Sequence, residues 1–63
     1  MDREQTNGFL SAVELQLEAA LNSLDVLDRT GTMNDKAYGV FLAKRIEILN
    51  AVHELKAVRA WNQ

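Results

Sequence analysis

The stretch RTGTMND, residues 29–35, separates two long segments that each show helical periodicity in this 63-residue chain. Gly31 can take the left-handed backbone conformation that often follows the last residue of a helix. Thr32 with Asp35, or Asn34 alone, can cap the next helix, and Asp35 suits the positive end of its dipole. Because a connection of about four to six residues places two helices side by side, the sequence predicts an antiparallel hairpin.

The first segment predicts a helix over residues 9–29 with two apolar seams. Its main seam advances in steps of three and four residues, which keeps it on one helix face: Leu10, Val13, Leu17, Ala20, Leu24 and Leu27. A weaker second seam runs behind it through Ala12, Leu15, Ala19 and Val26. Gly8 ends an N-terminal arm in this prediction, and an earlier helix start capped by Asp2 is the alternative. A helix that buries one stripe needs only the first seam, so the second predicts contact with another chain.

The second segment predicts a helix over residues 35–61 with a wide apolar arc. Its main seam, interrupted by Lys44, consists of Ala37, Phe41, Ile48, Ala51, Leu55 and Val58. A second ridge carries Tyr38, Leu42, Ile46 and Leu49. The two together span about 240° of the circumference, which exceeds the usual apolar stripe. Gly39 either lets another backbone approach this ridge or is a tolerated weak position that costs about 1 kcal/mol. We expect a core of Leu10, Val13, Leu17, Leu24 and Leu27 against Phe41, Ile48, Ala51, Leu55 and Val58.

Length and composition predict that this all-α, two-helix hairpin is completed by association. A chain of 63 residues buries only about 60% of the surface that its unfolded form exposes. Chains of this size depend on disulfides, a metal, oligomerisation or unusually good helix packing. The sequence has no cysteine and one histidine, which excludes disulfides and thiolate metal sites. Two routes to a stable fold therefore remain. The chain can self-associate into a dimeric four-helix bundle with coiled-coil-like packing, or it can bind a helical partner protein.

The charge distribution supports the antiparallel arrangement. The formal net charge is −2, with six acidic and two basic residues in 1–29 against three acidic and five basic residues in 30–63. This asymmetry favours antiparallel pairing by about 0–1 kcal/mol for each exposed pair. No apolar run approaches the roughly 20 residues that span a bilayer, and the acidic N-terminus is unlike a secretion signal. We therefore expect a cytoplasmic protein with no membrane partner.

The sequence contains no set of residues typical of a catalytic or metal site. His53 and Ser11 would lie at similar heights in the hairpin, but no pocket-forming loop accompanies them. Two acidic pairs share helix faces, Glu14 with Glu18 and Asp25 with Asp28. We interpret them as acidic flanks that face basic groups of the second helix, because a di-iron bundle needs inward Glu-x-x-His motifs. We therefore expect a non-enzymatic protein with no cofactor, metal or small-molecule substrate.

Nucleic acid is a disfavoured partner. The second helix carries a weak basic strip of Lys44, Arg45, His53, Lys56 and Arg59, which Glu47 and Glu54 dilute. Binding of nucleic acid normally needs a denser row of phosphate contacts or interleaved aromatic residues, and only Trp61 is near. Trp61 itself is expected either to fold over the end of the bundle or to anchor a protein interface.

Three segments resemble a known family, the small hairpin co-chaperones of type III secretion needle subunits. They are QLEAALNSL (16–24), YGVF (38–41) and LNAV (49–52). Members similarly carry a QLExAL segment on helix one, a Y-x-V-aromatic opening of helix two and an apolar A-I/V pair further along. The resemblance implies a bacterial cytoplasmic protein that pairs with a larger helical-repeat chaperone and keeps a needle subunit monomeric. It also implies a partner-binding surface around Leu17, Ala20, Leu24, Phe41, Leu49 and Val52.

A second resemblance is architectural. Length, hairpin form and the absence of cysteine are similar to a plasmid-encoded RNA-binding regulator that dimerises as a four-helix bundle. Its RNA face would need basic residues along helix one, which has only Arg3 and Arg29 against six acidic residues. We therefore retain the dimeric bundle from this resemblance and not the RNA.

The favoured function is that of a protein-binding adaptor or co-chaperone that docks an apolar face on a helical partner. The alternatives are a homodimeric regulator or phage-encoded inhibitor of a host protein and, less favoured, a nucleic-acid-binding regulator. The residues expected to bind the partner are Leu15, Leu17, Ala19, Ala20, Leu24, Tyr38, Phe41, Leu42, Ile46, Leu49, Val52 and Trp61.

Overall fold

The computed structural model describes all 63 residues, which form two α-helices and no strand. Helix α1 spans Arg3–Thr30 and α2 spans Asp35–Trp61. Contacts from Asn7 to Asn62 and from Asp25 to Arg45 show that the helices run in opposite directions. The hairpin is 46 Å long and 15 Å wide. The predicted all-α antiparallel hairpin is confirmed.

Helix α1 begins six residues earlier than the sequence pattern predicted, at Arg3 and not at residue 9. The Asp2 carboxylate accepts a hydrogen bond from the Gln5 backbone N–H at 2.8 Å, and the Gln5 side chain accepts one from the Asp2 N–H at 3.1 Å. This reciprocal capping box fixes the helix start ahead of Gly8. A glycine inside a helix costs about 1 kcal/mol, which such a cap can offset.

The turn between the helices consists of residues 31–34. Gly31 adopts the left-handed conformation with φ of 63°, and its N–H donates to the Asp28 carbonyl at 3.4 Å. The Asn34 side chain accepts from the Ala37 N–H at 2.8 Å, so Asn34 alone caps α2. Helix α2 has the bounds predicted from the sequence. The Asn34 cap marks its start, and the end of the apolar pattern marks its last residue.

The contact line between the helices, which we call the seam, mixes apolar and polar side chains. On α1 it contains Asn7, Leu10, Glu14, Leu17, Leu21, Leu24 and Asp28. On α2 it contains Phe41, Arg45, Ile48, Val52, Leu55, Arg59 and Asn62. Only Val52, at 3% exposure, and Glu14, at 4%, are fully buried. The hairpin alone therefore has almost no closed hydrophobic core.

The predicted core is wrong at three positions. Val13, Leu27 and Val58 remain 40–43% exposed, while Glu14 and Leu21 occupy the seam. Successive helix residues differ by about 100° in direction, so a seam through Glu14 turns Val13 to the side. The other predicted core residues are half-buried.

Gly39 makes no close contact inside the hairpin. No atom outside its own helix backbone lies within 4 Å of the position that a Cβ would take. Of the two explanations for this glycine, the tolerated weak position fits the isolated hairpin, and a close approach by α1 does not.

Candidate protein-binding surfaces

Every charged residue of α1 between Gln5 and Leu27 is paired with a cation of α2. These residues are Glu14, Glu18 and Asp25. Glu14 pairs with Arg59, whose Nε lies 2.8 Å from its Oε2, and Glu18 pairs with Lys56, whose Nζ lies 3.2 Å from its Oε1. Asp25 pairs with Arg45. Over six turns of helix, α1 therefore presents no free charge to its surroundings.

The pair between Glu14 and Arg59 lies in the seam itself. Both carboxylate oxygens of Glu14 accept from the guanidinium, at 2.8 and 3.0 Å. Hydrogen bonding to Glu14, followed by the attraction of its charge, raises the pKa of Arg59, and burial opposes this only partly. The Arg59 side chain is 40% exposed, whereas that of Glu14 is 5% exposed. The carboxylate therefore depends on this one cation for its charge partner.

Tyr38 is held at the turn end of the hairpin. Its ring stacks on Phe41 with centroids 6.0 Å apart and an interplanar angle of 18°. Hydrogen bonding to Asp28 is the largest cause that raises the pKa of the Tyr38 hydroxyl; burial and the Asp28 charge add to it, and Arg45 opposes it. The Tyr38 side chain remains 37% exposed.

The first exposed apolar surface is the outer face of α1, which consists of Phe9, Ala12, Leu15, Ala19 and Val26. Its three large members, Phe9, Leu15 and Val26, are 60–65% exposed. Four of the five residues form the second seam that the sequence pattern singled out. Helix α2 covers none of them, so this face lacks an intramolecular partner.

The second surface is the open flank, one of the two long sides of the hairpin. It consists of two rows with seven-residue spacing: Thr6, Val13, Ala20 and Leu27 on α1, and Ala37, Lys44, Ala51 and Val58 on α2. Thr6 and Val58 line one groove together, which places both rows on the same side. Lys44 is the one charged residue of the flank, and it pairs with Glu47 of its own helix at 3.2 Å.

The opposite side, the charged flank, carries the ion pairs of Glu18 with Lys56 and of Asp25 with Arg45. A groove on this side is lined by Glu18, Leu21, Asn22, Asp25, Arg45, Ile46 and Leu49. Ile46 is 60% and Leu49 46% exposed, so the predicted second ridge of α2 emerges here. Unlike the open flank, this side mixes apolar residues with four charges.

The predicted partner-binding residues do not all reach the surface. The exposed ones are Leu15, Ala19, Ala20, Tyr38, Ile46, Leu49 and Trp61. Leu17, Leu24, Phe41 and Leu42 are half-buried, and Val52 is buried. Val52 was therefore a wrong choice for a partner contact, because the hairpin already encloses its side chain. Trp61 is 82% exposed, so it does not fold over the end of the hairpin.

Sequence reasoning also missed residues that shape these surfaces. Val13, Leu27 and Val58, assigned to the core, belong to the open flank. Arg45 and Arg59 lie in the seam and not on a free basic strip. Helical periodicity within one segment does not show which charge will meet a charge of the other segment.

Neither helix has an apolar stretch of the length needed to cross a bilayer. No group of three or more histidine, aspartate or glutamate residues is arranged to hold a metal ion. Comparisons with protein families, with curated proteins and with solved structures give no match. The outer face and the two flanks are therefore the features on which a functional proposal can be based.

Proposed function

We propose that this chain is a non-enzymatic adaptor whose outer face of α1 docks in an apolar groove of a helical partner protein. The supporting observation is that α1 has no free charge from Gln5 to Leu27 while Phe9, Leu15 and Val26 are 60–65% exposed. A surface helix normally turns charged residues to water, whereas the outside of α1 carries exposed apolar residues together with uncharged polar ones such as Gln16 and Ser23.

The outer wall of α2 provides an internal comparison. It carries Lys36, Glu47, Asn50 and Glu54, all exposed, beside the exposed apolar side chain of Val40. The two outer walls therefore differ in charge more than in exposed apolar surface. Both helices belong to the same hairpin, so the composition of the chain as a whole does not explain the difference. The contrast supports a partner on the α1 side and solvent on the α2 side.

The size of the outer face indicates what the partner must supply. Full burial of one large apolar side chain contributes about 1.5–3 kcal/mol, and association costs about 4–15 kcal/mol in lost freedom of motion. Full burial of the three large residues of this face would contribute about 5–9 kcal/mol, which offsets only the lower part of that range. A groove that encloses Ala12 and Ala19 as well buries more surface, since alanines let partner helices come close.

The resemblance to needle-subunit co-chaperones suggests a narrower form of this proposal, in which the groove belongs to a larger helical-repeat chaperone. Of the residues that the resemblance assigns to the partner surface, Ala20 and Leu49 are exposed. Co-expression with such a chaperone from the same gene neighbourhood, followed by co-purification, tests the narrower form. If co-purification fails, only this narrower form is rejected, and the adaptor proposal is then tested with the probes and variants of the outer face.

Nucleic-acid binding has less support. Lys44, Arg45, Lys56 and Arg59, the cations of the basic strip, each form an ion pair with a carboxylate. Counterion release needs cations that are free to meet phosphates. We expect no salt-dependent retention on heparin; strong retention that salt reverses would favour nucleic acid over the adaptor function.

A photoreactive amino acid placed at Ala19 tests the adaptor function in cells that express the chain. We expect one discrete adduct from this probe and none from the same probe at Asn50, on the outer wall of α2. With the captured protein purified, Leu15→Asp should weaken binding at least tenfold, while Asn50→Asp should leave it unchanged. Because Leu15 is 65% exposed, its substitution should leave the helix content unchanged. The same adduct pattern from both probes would contradict the proposal.

A further inference from the structure

We propose that the open flank is covered by a second copy of this chain, turned end for end, so that two hairpins form a four-helix bundle with α1 packed on α1. The open flank is a separate surface from the outer face, so this dimer does not depend on the adaptor function. The second copy supplies the missing half of a hydrophobic core that the hairpin only begins to form.

The need for such a cover follows from burial. Val52 is the only hydrophobic residue that the hairpin fully buries. Leu10, Leu17 and Leu24 of the seam stay half-buried. A chain of 63 residues without cysteine has association as its main route to a closed core.

The direction of the apolar arcs points to the same side. Val13 and Leu27 on α1 and Val58 on α2 all flank the seam on one side and are 40–43% exposed. In a four-helix bundle each helix packs on two neighbours, so its apolar arc is centred between them and not on one. The residues that were wrongly predicted as the hairpin core have the placement expected of a bundle core.

Charge favours a like partner on this flank. Of the eight residues in its two rows, only Lys44 is charged, and Glu47 of the same helix pairs with it. The acidic excess of the chain lies elsewhere, so two copies can approach without bringing like charges together. The long stem of Lys44 can lie along apolar surface while its ammonium group reaches water.

The dimensions fit a second hairpin better than a single helix. The hairpin is 46 Å long and 15 Å wide, so the open flank is two helices across. A single helix is about 10 Å across and would leave part of this two-helix-wide face uncovered. Another hairpin has the same width and length.

The row on α1 is self-complementary about Ala20. When a second copy is turned end for end around this residue, Val13 meets Leu27 of the other copy and Ala20 meets its own counterpart. The alanines allow close approach at the centre, and the larger residues fill the space on either side. This is the isologous contact that a two-fold axis requires.

Sedimentation equilibrium tests the dimer with a matched pair of variants. The wild-type chain, of 7.1 kDa, should sediment at twice that mass. Ala20→Glu should shift it to the single-chain mass, because it places a charge on the two-fold axis. Ala19→Glu has the same residue change one position away, on the outer face, and should remain dimeric. A monomeric wild-type chain, a dimeric Ala20→Glu variant or a dissociated Ala19→Glu variant would each overturn the proposal.

Cysteine cross-linking tests the arrangement without relying on a destabilised variant. The chain has no cysteine, so each single substitution adds one defined thiol. Ala20→Cys should form an interchain disulfide on mild oxidation, whereas Ala19→Cys and Asn50→Cys should stay reduced. A dimer that Ala20→Cys does not cross-link would refute the end-for-end arrangement. Leu15→Asp separates the two proposals, because it should weaken partner binding at least tenfold and leave the dimer mass unchanged.

Discussion

Replacing Glu14 with leucine should make the protein more stable, although it removes an ion pair. Glu14 is 4% exposed, and both its oxygens accept from Arg59, at 2.8 and 3.0 Å. Removing a carboxylate from water costs several kcal/mol, and an ion pair repays this cost only when its geometry and surroundings are favourable. Replacing buried ionic groups with apolar ones of similar volume is often neutral or stabilising.

The structure allows a magnitude to be assigned to this change. A leucine at position 14 would be nearly fully buried, which contributes about 1.5–3 kcal/mol. Arg59 loses its partner but is 40% exposed, so it can turn its guanidinium to water. Allowing for the lost hydrogen bonds, we expect a net gain of about 1 kcal/mol. For a chain of this length, such a gain raises Tm by about 4–8 °C.

Urea unfolding followed by circular dichroism measures this difference. The protein concentration must be the same for all variants, because association makes apparent stability depend on it. Glu14→Ala is the control, since it removes the charge without filling the space and should lower the free energy of unfolding by about 1–2 kcal/mol. A loss of 1 kcal/mol or more in Glu14→Leu would refute the reasoning, because the ion pair would then contribute net stability.

Four further outcomes follow from the turn and from residues of α2 near it. Gly39→Ala should raise the free energy of unfolding by about 0.5–1 kcal/mol, since the new Cβ meets no atom within 4 Å. Gly31→Ala should lower it by about 1–2 kcal/mol in the same urea titration, because φ there is 63°. Asn34→Ala should cost about 1 kcal/mol by removing the cap of α2, seen as a lower Tm. Asp28 raises the pKa of the Tyr38 hydroxyl in the folded protein, so the unfolded chain loses the hydroxyl proton at a lower pH. The free energy of unfolding should therefore fall as pH rises above about 10. Tyr38→Phe should remove that fall, and the absorbance of tyrosinate should report the raised pKa.

The turn and α2 were predictable because local chemistry decides them. Gly31 adopts the left-handed conformation expected at a helix end, and Asn34 makes the cap that its side chain permits. The start of α1 was predicted only as the alternative, since Gly8 was taken as a break and the earlier start capped by Asp2 was placed second. A glycine is a weak breaker beside a reciprocal cap such as that of Asp2 and Gln5.

The seam was only partly predictable, for a different reason. The apolar arc of α1 is wider than its contact with α2, so the centre of the arc identifies the wrong line of residues. Glu14 and Arg59 each look like surface residues within their own helix, and only their pairing across the hairpin places them in the seam. The opposite net charges of the two segments predicted attraction between them but not the particular pairs.

The polar seam and the uncharged outer surface of α1 are physically connected. An acidic residue that faced water would place charge on the surface of α1, and a partner would have to remove it from water. In this hairpin, Arg59, Lys56 and Arg45 hold the three carboxylates against α2 instead. Pairs of this kind add little net stability, but they fix which residues meet and hence the register. The seam therefore sets the geometry of the hairpin, while most of the apolar surface that could stabilise it faces outward. The two proposed contacts, with a second copy and with a helical partner, are the ones that would bury this outward-facing surface.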